Sequence, residues 1–256
     1  MTEKKLIHFA CKCENLKAIK YLINKKSKLD LNSVDYSNQY RQIHYACFSV
    51  CLNPLIIKLL LEKNIDLEVP DKNGLRPIHM ICINGNLEIL KLLLEKNVHL
   101  EVYDKDGMTP IHYACKYGHI KIILLLLEKN VNLEVSNENG LRPIHYASIT
   151  NLEILKLLLE KNVYLEVCDN KGKKPIHYIS GYYHTSIQML NLLIDNKMDL
   201  EAIYNNEWRP IHYACAYSSI NVIETLVDKV NCHHKTNKGE TPFDLFMKRG
   251  FLKKLI

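Results

Sequence analysis

Several residue types and patterns are scarce in this chain, and each scarcity removes a class of answer. Among 256 residues there are one Trp and five Phe, so the 47% hydrophobic content rests on Leu and Ile. Such a composition suits many small, similar layers better than one large aromatic core. No window approaches the roughly 18 consecutive apolar residues that a membrane span needs. The start, Met1-Thr2-Glu3-Lys4-Lys5-Leu6, is charged and passes directly into a periodic apolar segment without a small-residue cleavage site. It does not read as a secretory signal, and an intracellular, cytoplasmic location is expected, with the nucleus left open. Only nine glycines are present, mostly in turns, and none forms a glycine-rich phosphate loop. There is no RNP-like phrase, zinc-finger spacing or long basic helix, and a formal charge of +6 does not by itself indicate nucleic acid.

Nine cysteines is an odd number, and five of them, Cys11, Cys47, Cys82, Cys115 and Cys215, recur at one place in a repeating pattern where Ser148 and Ser180 also stand. A position that accepts Cys or Ser interchangeably selects a small side chain in a tight helix contact, so disulfides are not implied. A reducing compartment fits this usage.

What the chain has in abundance is one phrase. Thr109-Pro110-Ile111-His112-Tyr113-Ala114-Cys115 returns in altered form around His8, His44, His79, His145, His177 and His212, and the successive histidine spacings are 36, 35, 33, 33, 32 and 35. A near-constant period of this size marks a stacked repeat architecture, in which each unit buries its apolar face only against its neighbours.

At these residues the sequence resembles the ankyrin repeat family, whose repeat of about 33 residues opens its first helix with a T-P-L-H-x-A phrase. The resemblance covers essentially the whole chain. It implies an all-α solenoid of about eight helix-turn-helix repeats joined by β-hairpin-like loops, a single domain over 1–256. The repeats run approximately 4–35, 36–70, 71–103, 104–136, 137–168, 169–203, 204–235 and 236–256.

The third repeat shows the mechanics. Asp71-Lys72-Asn73-Gly74 is a turn signal in which Gly74 supplies a positive φ, and Pro77 suits the first helical position, where its missing N–H costs nothing. A helix is predicted to about Ile83, a break at Asn84-Gly85-Asn86, and a second helix from Leu87 to Lys96. The second helix carries an apolar stripe wide enough to be sandwiched between layers. Asn97 then stands where the family usually has Gly, and Asn is the next residue able to take a left-handed C-terminal cap. Asn64, Asn130 and Asn162 repeat the device.

Departures from the family phrase carry the individual information. Only Thr109 and Thr241 keep the opening Thr; Arg41, Arg76, Arg142, Lys174 and Arg209 replace it, while Glu68, Glu101, Glu134, Glu166 and Glu201 recur just upstream. The two rows either form inter-repeat ion pairs or stay separately solvated. The hairpin glycine is lost at Gln39 and Glu207, where a different turn is expected, each followed by an aromatic, Tyr40 and Trp208. Extra residues stretch the turns at Val50-Cys51-Leu52 and Gly181-Tyr182-Tyr183-His184. Asp244 replaces the histidine in the last repeat, whose second helix stops at Leu255-Ile256.

Catalytic and metal chemistry finds little support. His112 with Cys115, and His212 with Cys215, lie one helical turn apart, but no closed four-ligand set accompanies them, and a repeat-periodic histidine is better explained by a hydrogen bond tying helix to hairpin. Cys232-His233-His234 lacks further ligands. No nucleophile sits at a strained turn beside a base. The chain is therefore expected to be non-catalytic, without cofactor or metal.

Surface remains. The resemblance implies that partners are held on the concave side by hairpin tips and exposed first-helix positions. In the second repeat these are Tyr40, Tyr45 and Phe48; in the third Leu75, Met80 and Ile83; in the fourth Met108, Tyr113, Lys116 and Tyr117. In the fifth they are Leu141, Tyr146 and Ile149; in the sixth Lys173, Tyr178 and Tyr182; in the seventh Trp208, Tyr213 and Tyr217. The recurring tyrosines 45, 113, 146, 178 and 213 follow the repeat and suit packing beside the histidines. Tyr117, Tyr182, Trp208 and Tyr217 fall outside that pattern and, with Tyr40, Phe48, Leu75, Met108, Leu141 and Tyr213, make up the expected contact set. The expected role is a scaffold or adaptor, monomeric, that binds a protein or peptide. The alternative is a regulatory subunit or fragment docking through its apolar C-terminal edge to another domain or a second copy.

Overall fold

A computed structural model describes residues 3–25, 30–35, 38–48, 53–182 and 186–249, with side chains from Leu6 onward. Among the described residues there are fifteen α-helices and no β-strand, giving an all-α repeat solenoid. None of these helices is long and apolar enough to cross a membrane. The stretched segments at Val50-Cys51-Leu52 and Tyr183-His184, and the chain's end at Leu255-Ile256, lie outside the described residues.

The contacts divide the chain into two compact units, 1–132 and 133–256. In the first unit the helices Glu3–Lys12, Gln42–Phe48, Pro77–Asn84 and Pro110–Tyr117 pack in one layer. Leu16–Lys25, Pro54–Leu61, Leu87–Leu94 and Ile120–Glu128 form a second layer against them. In the second unit Pro143–Thr150, Pro175–Gly181, Pro210–Tyr217 and Pro242–Lys248 make the first layer, and Leu152–Glu160, Ile187–Asp195 and Ile220–Val227 the second.

Local sequence accounts for these elements. Pro77 occupies the first turn of its helix, and Gly85 closes it in the left-handed region at φ 74°. The following helix ends at Leu94, two residues short of the Lys96 expected, because the amides of Lys96 and Asn97 bond three residues back, to the Leu93 and Leu94 carbonyls, before Asn97 turns the chain at φ 54°. Asn64, Asn130 and Asn162 do the same at φ 48–55°. Ile78, Ile81, Ile89, Leu90 and Leu93 are fully buried, each worth about 1.5–3 kcal/mol relative to exposure once neighbouring repeats cover it. The eight described cysteines are free thiols, and burial pushes that of Cys215 up to about 11. At the equivalent place Ser148 satisfies its hydroxyl by donating to the Ile144 carbonyl at 2.8 Å.

The periodic histidine is the joint of most repeats; Asp244 stands in its place in the last, and His145 Nε2 makes no hydrogen bond among the described residues. The ring Nδ1 accepts the amide N–H of the residue preceding the proline, at 3.0 Å from Arg76 to His79, 3.1 Å from Lys174 to His177 and 3.1 Å from Arg209 to His212. A backbone N–H can only donate, so Nδ1 is unprotonated and Nε2 carries the hydrogen. That hydrogen goes to a carbonyl at the repeat's far end: His79 to Val102 at 3.1 Å, His177 to Ala202 at 3.0 Å, and His44 to Val69 at 3.0 Å. Where Thr109 is retained, its hydroxyl also lies 2.8 Å from His112 Nδ1. Asp244 accepts from the Thr241 amide at 2.8 Å and hydroxyl at 2.7 Å, reproducing the first half of the joint.

The charged rows pair. Arg76 meets Glu68 and Lys174 meets Glu166, both at 2.7 Å, and Arg142–Glu134 and Arg209–Glu201 form the same contact. Each glutamate uses its other oxygen to accept a backbone N–H of the next outer turn, Glu68 from His99 at 2.8 Å and Glu134 from Tyr164 at 2.9 Å. Glu101 has Thr109 rather than a cation at the pairing position, yet still accepts from Asn132 at 2.7 Å. The acid is therefore a backbone acceptor first and an ion-pair partner second.

Two predictions follow from these joints. Burial holds His44, His79, His145, His177 and His212 below the ordinary imidazole value, with His177 near 4. A depressed folded-state value means that the unfolded chain takes up protons first. Stability is thus full above about pH 6.5 and falls on acidification, by about 1 kcal/mol per pH unit for each fully depressed histidine. Thermal melts between pH 7 and 5.5 should show a falling Tm; a flat profile would contradict the neutral joint. Second, Glu134→Ala is expected to cost about 1–2 kcal/mol, because it strips the Tyr164 N–H of a charged acceptor, and Arg142→Ala less than about 1 kcal/mol. Equal losses of Tm would show that the ion pair alone matters.

Candidate functional site

In most repeats the hairpin finger opens with an acid or amide that organises it. Asp71 Oδ1 accepts the amides of Asn73 and Leu75, both at 2.8 Å, and Gly74 closes the turn at φ 83°. Where the helix carries a tyrosine after the histidine, that tyrosine is bonded to the finger: Tyr113 donates to Asp104, Tyr178 to Asp169 and Tyr45 to Asp35, and Asn137 donates to Tyr146 at 3.1 Å. The third repeat has Met80 there, and Asp71 Oδ2 has no hydrogen-bond partner among the described residues. These tyrosines also lie edge-on to the histidine of the preceding repeat, with ring centroids 5.7–5.9 Å apart for His79–Tyr113, His145–Tyr178 and His177–Tyr213. They are primarily packing residues.

The seventh finger breaks this rule. Tyr204 stands where Asp71, Asp104 and Asp169 stand elsewhere, so Tyr213 faces a ring instead of a carboxylate, with centroids 5.9 Å apart. The finger turns through Asn206 and Glu207 at φ 67° and 61°, closed by Tyr204 N–H to Trp208 C=O at 2.7 Å. The finger before Tyr40 uses Gln39 at φ 56° and spans one residue more, closed from Asp35 to Tyr40 at 2.7 Å. Both lost glycines therefore change the turn as the sequence suggests.

The result in the second unit is a groove of about 560 Å³. Trp208 stacks on Tyr217 at 6.2 Å and 20°, and meets Tyr213 at 5.0 Å and 61°. Tyr182, Tyr204 and Ile149 extend the wall, and Lys173, Lys238 and Glu240 add charge. Gly181 lies close beneath the ring: a Cβ there would lie 3.1 Å from Tyr213 Cδ1, so Tyr213 would have to give way by a few tenths of an ångström. Four of the ten expected contact residues, Tyr182, Trp208, Tyr213 and Tyr217, come together here. Its volume falls within the range of ligand and peptide pockets.

The other six do not join them. In the first unit Tyr40 packs against Phe48 at 6.3 Å and Tyr45 at 5.2 Å, leaving Phe48 exposed. Tyr117 is exposed and parallel to Tyr113 at 6.4 Å. Leu75 and Leu141 are half-buried finger residues. Two members of the expected set are recessed: Met108 is 4% and Tyr213 8% exposed. Met108 packs into the core, whereas Leu75 and Leu141 at the same finger position stay half-buried, and Tyr213 lines the groove. Met80, expected at the surface by its place in the helix, is likewise buried. Tyr204, Lys238 and Glu240 were not legible as site residues, although Tyr in the place of a recurring Asp was a visible signal.

Among the described residues no three side chains of metal-ligand type gather. His212 and Cys215 are buried; Cys232 Sγ contacts the carbonyls of Val227 and Val230, and His234 faces Glu207 at 3.4 Å.

Replacing Tyr204 by Asp should restore the carboxylate–tyrosine bond of the other fingers and open the aromatic wall. Tyr204→Asp is expected to change stability by less than about 1 kcal/mol while red-shifting the emission of Trp208, the sole tryptophan. An unshifted spectrum would show that Tyr204 does not shield the indole.

A family model describing ankyrin repeats matches three overlapping stretches, residues 43–137, 78–167 and 144–238, which together span more than half of the chain. No curated protein matches it.

Proposed function

The chain belongs to the ankyrin-repeat family, whose members are generally protein–protein interaction modules, and from that premise we propose that it is a non-catalytic scaffold or adaptor holding a protein or extended peptide in the Trp208 groove. The observation that carries this reading is the concentration of Trp208, Tyr217, Tyr182 and Tyr204 around one concavity on the finger and first-helix side. Tyr and Trp bury much area with few rotatable bonds and keep a polar tip, which makes them frequent binding hot spots. Elsewhere the repeat tyrosines are committed to Asp or Asn partners in their own fingers. Here the aromatic surface exceeds what the repeat needs for packing.

Nothing about the surrounding groups favours bond-making chemistry. His177, beneath Tyr213, is held neutral by burial and bonded at both nitrogens, so it lacks a free position for proton transfer. The nearby hydroxyls of Tyr178 and Tyr213 are pushed well above the ordinary phenol value by burial and act as neutral groups.

Alanine substitution provides the test. For a partner selected on the full chain, Trp208→Ala and Tyr217→Ala are each expected to weaken binding by about 2 kcal/mol, roughly thirtyfold, with the melting profile retained. Unchanged affinity in both variants would remove the groove from the binding surface.

A further inference from the structure

The groove contains a cation at a position that other fingers give mainly to apolar residues. Tyr40, Leu75, Met108, Leu141 and Trp208 occupy the place that Lys173 takes in the sixth finger. Its Nζ lies over three rings, 4.7 Å from the centroid of Tyr213, 5.2 Å from Tyr204 and 5.4 Å from Tyr178. Aromatic faces stabilise an ammonium but offer its N–H groups no lone pair. Among the described residues Lys173 Nζ has no ion-pair or hydrogen-bond acceptor. The carboxylate of its own finger is committed elsewhere: Asp169 accepts the amides of Lys171 and Lys173 at 2.8 Å and the Tyr178 hydroxyl.

The charge balance around the groove runs the same way. Lys238 stands exposed on the rim, and Glu240 is already paired with Lys248. Burial holds Lys173 below the ordinary lysine value, as expected of an ammonium short of solvation. An aromatic cluster of this kind would ordinarily attract a cationic ligand. Here its faces are already filled by the chain's own lysine, which repels a second cation and leaves donors pointing at whatever enters.

Resting on the reading of this groove as the binding site, we infer that it takes an acidic peptide: a segment whose Asp or Glu carboxylate docks on Lys173 Nζ while a neighbouring apolar side chain lies against Trp208 and Tyr217. The carboxylate supplies the acceptor that the rings cannot, and the stacked pair supplies the desolvated wall that makes a charge-assisted bond worth more than it is in open water.

The test uses a random dodecapeptide display library selected on the full chain and, in parallel, on a chain carrying Trp208→Ala and Tyr217→Ala, so that groove-dependent binders are separated from the rest. Those binders should be enriched in Asp or Glu beside an aromatic or aliphatic residue. With such peptides synthesised singly, Lys173→Met should lower affinity about tenfold, Lys173→Arg should preserve it, and Gln versions of the same peptides should bind more weakly and be indifferent to Lys173→Met. Trp208 emission reports occupancy in the variants that retain it. Groove-dependent binders without acidic enrichment, or unaltered by Lys173→Met, overturn the inference while leaving the groove as a binding site. A selection yielding no groove-dependent binder overturns both.

Discussion

The structure depends on a buried imidazole held in one tautomer. A backbone N–H at Nδ1 forces the proton onto Nε2, and that proton then satisfies a carbonyl more than twenty residues downstream, as in His79 to Val102. One ring thereby fixes where a helix begins and where the chain leaves for the next finger. An imidazolium would donate at both nitrogens and confront the amide, so the joint exists only in the neutral form, and burial enforces that form. Ionised Asp244 shows what the ring contributes: a carboxylate accepts from Thr241 at both its amide and hydroxyl, yet has nothing to donate onward.

With the backbone set by this joint, by the cap asparagines and by the glutamate acceptors, finger side chains vary without disturbing the stack. Three neighbouring changes have large consequences in the second unit. Asp becomes Tyr at 204, which leaves Tyr213 without a carboxylate and gathers rings. Trp replaces an aliphatic residue at 208 and stacks on Tyr217. Lys at 173 then lies over π faces at a place where its counterparts are mainly apolar residues. None of these residues is unusual alone, and their adjacency across consecutive fingers is what makes a groove.

How much of this could be read in the sequence differs by level. The spacing of the histidines gives the helix pairs, and Pro77, Gly74 and Asn97 behave as their backbone preferences dictate, because those signals are local. The pairing of Glu68 with Arg76 was visible as a possibility, but the second duty of each glutamate was not, since its backbone partner at His99 lies 31 residues away. Met108 and Met80 were misjudged for a related reason: periodicity identifies a helix face or finger tip, whereas inward rotation of a long thioether depends on the space a neighbour leaves. Tyr182, Trp208 and Tyr217 stood out because they fall outside the repeat pattern. Tyr204 did not, because its significance lies in the missing Asp.

Departures from local rules occur at several places, Glu14, Gln39 and Lys197 among them, and several of them meet at the groove. Asn206 and Glu207 adopt positive φ without glycine, Tyr204 displaces a finger-organising acid, and Lys173 is half-buried with no carboxylate in ion-pair contact among the described residues, Asp169 acting on it only at longer range, all within the lining of the groove or next to it. Each carries a cost that a repeat optimised only for stability would avoid, as neighbouring fingers do with Gly140, Asp104 and Leu141. A fold whose local preferences otherwise agree with its architecture concentrates such conflicts where another constraint acts on the residues. On the proposed reading of the groove that constraint is surface chemistry: an aromatic wall, an ammonium held over rings, and a backbone turn that presents them together.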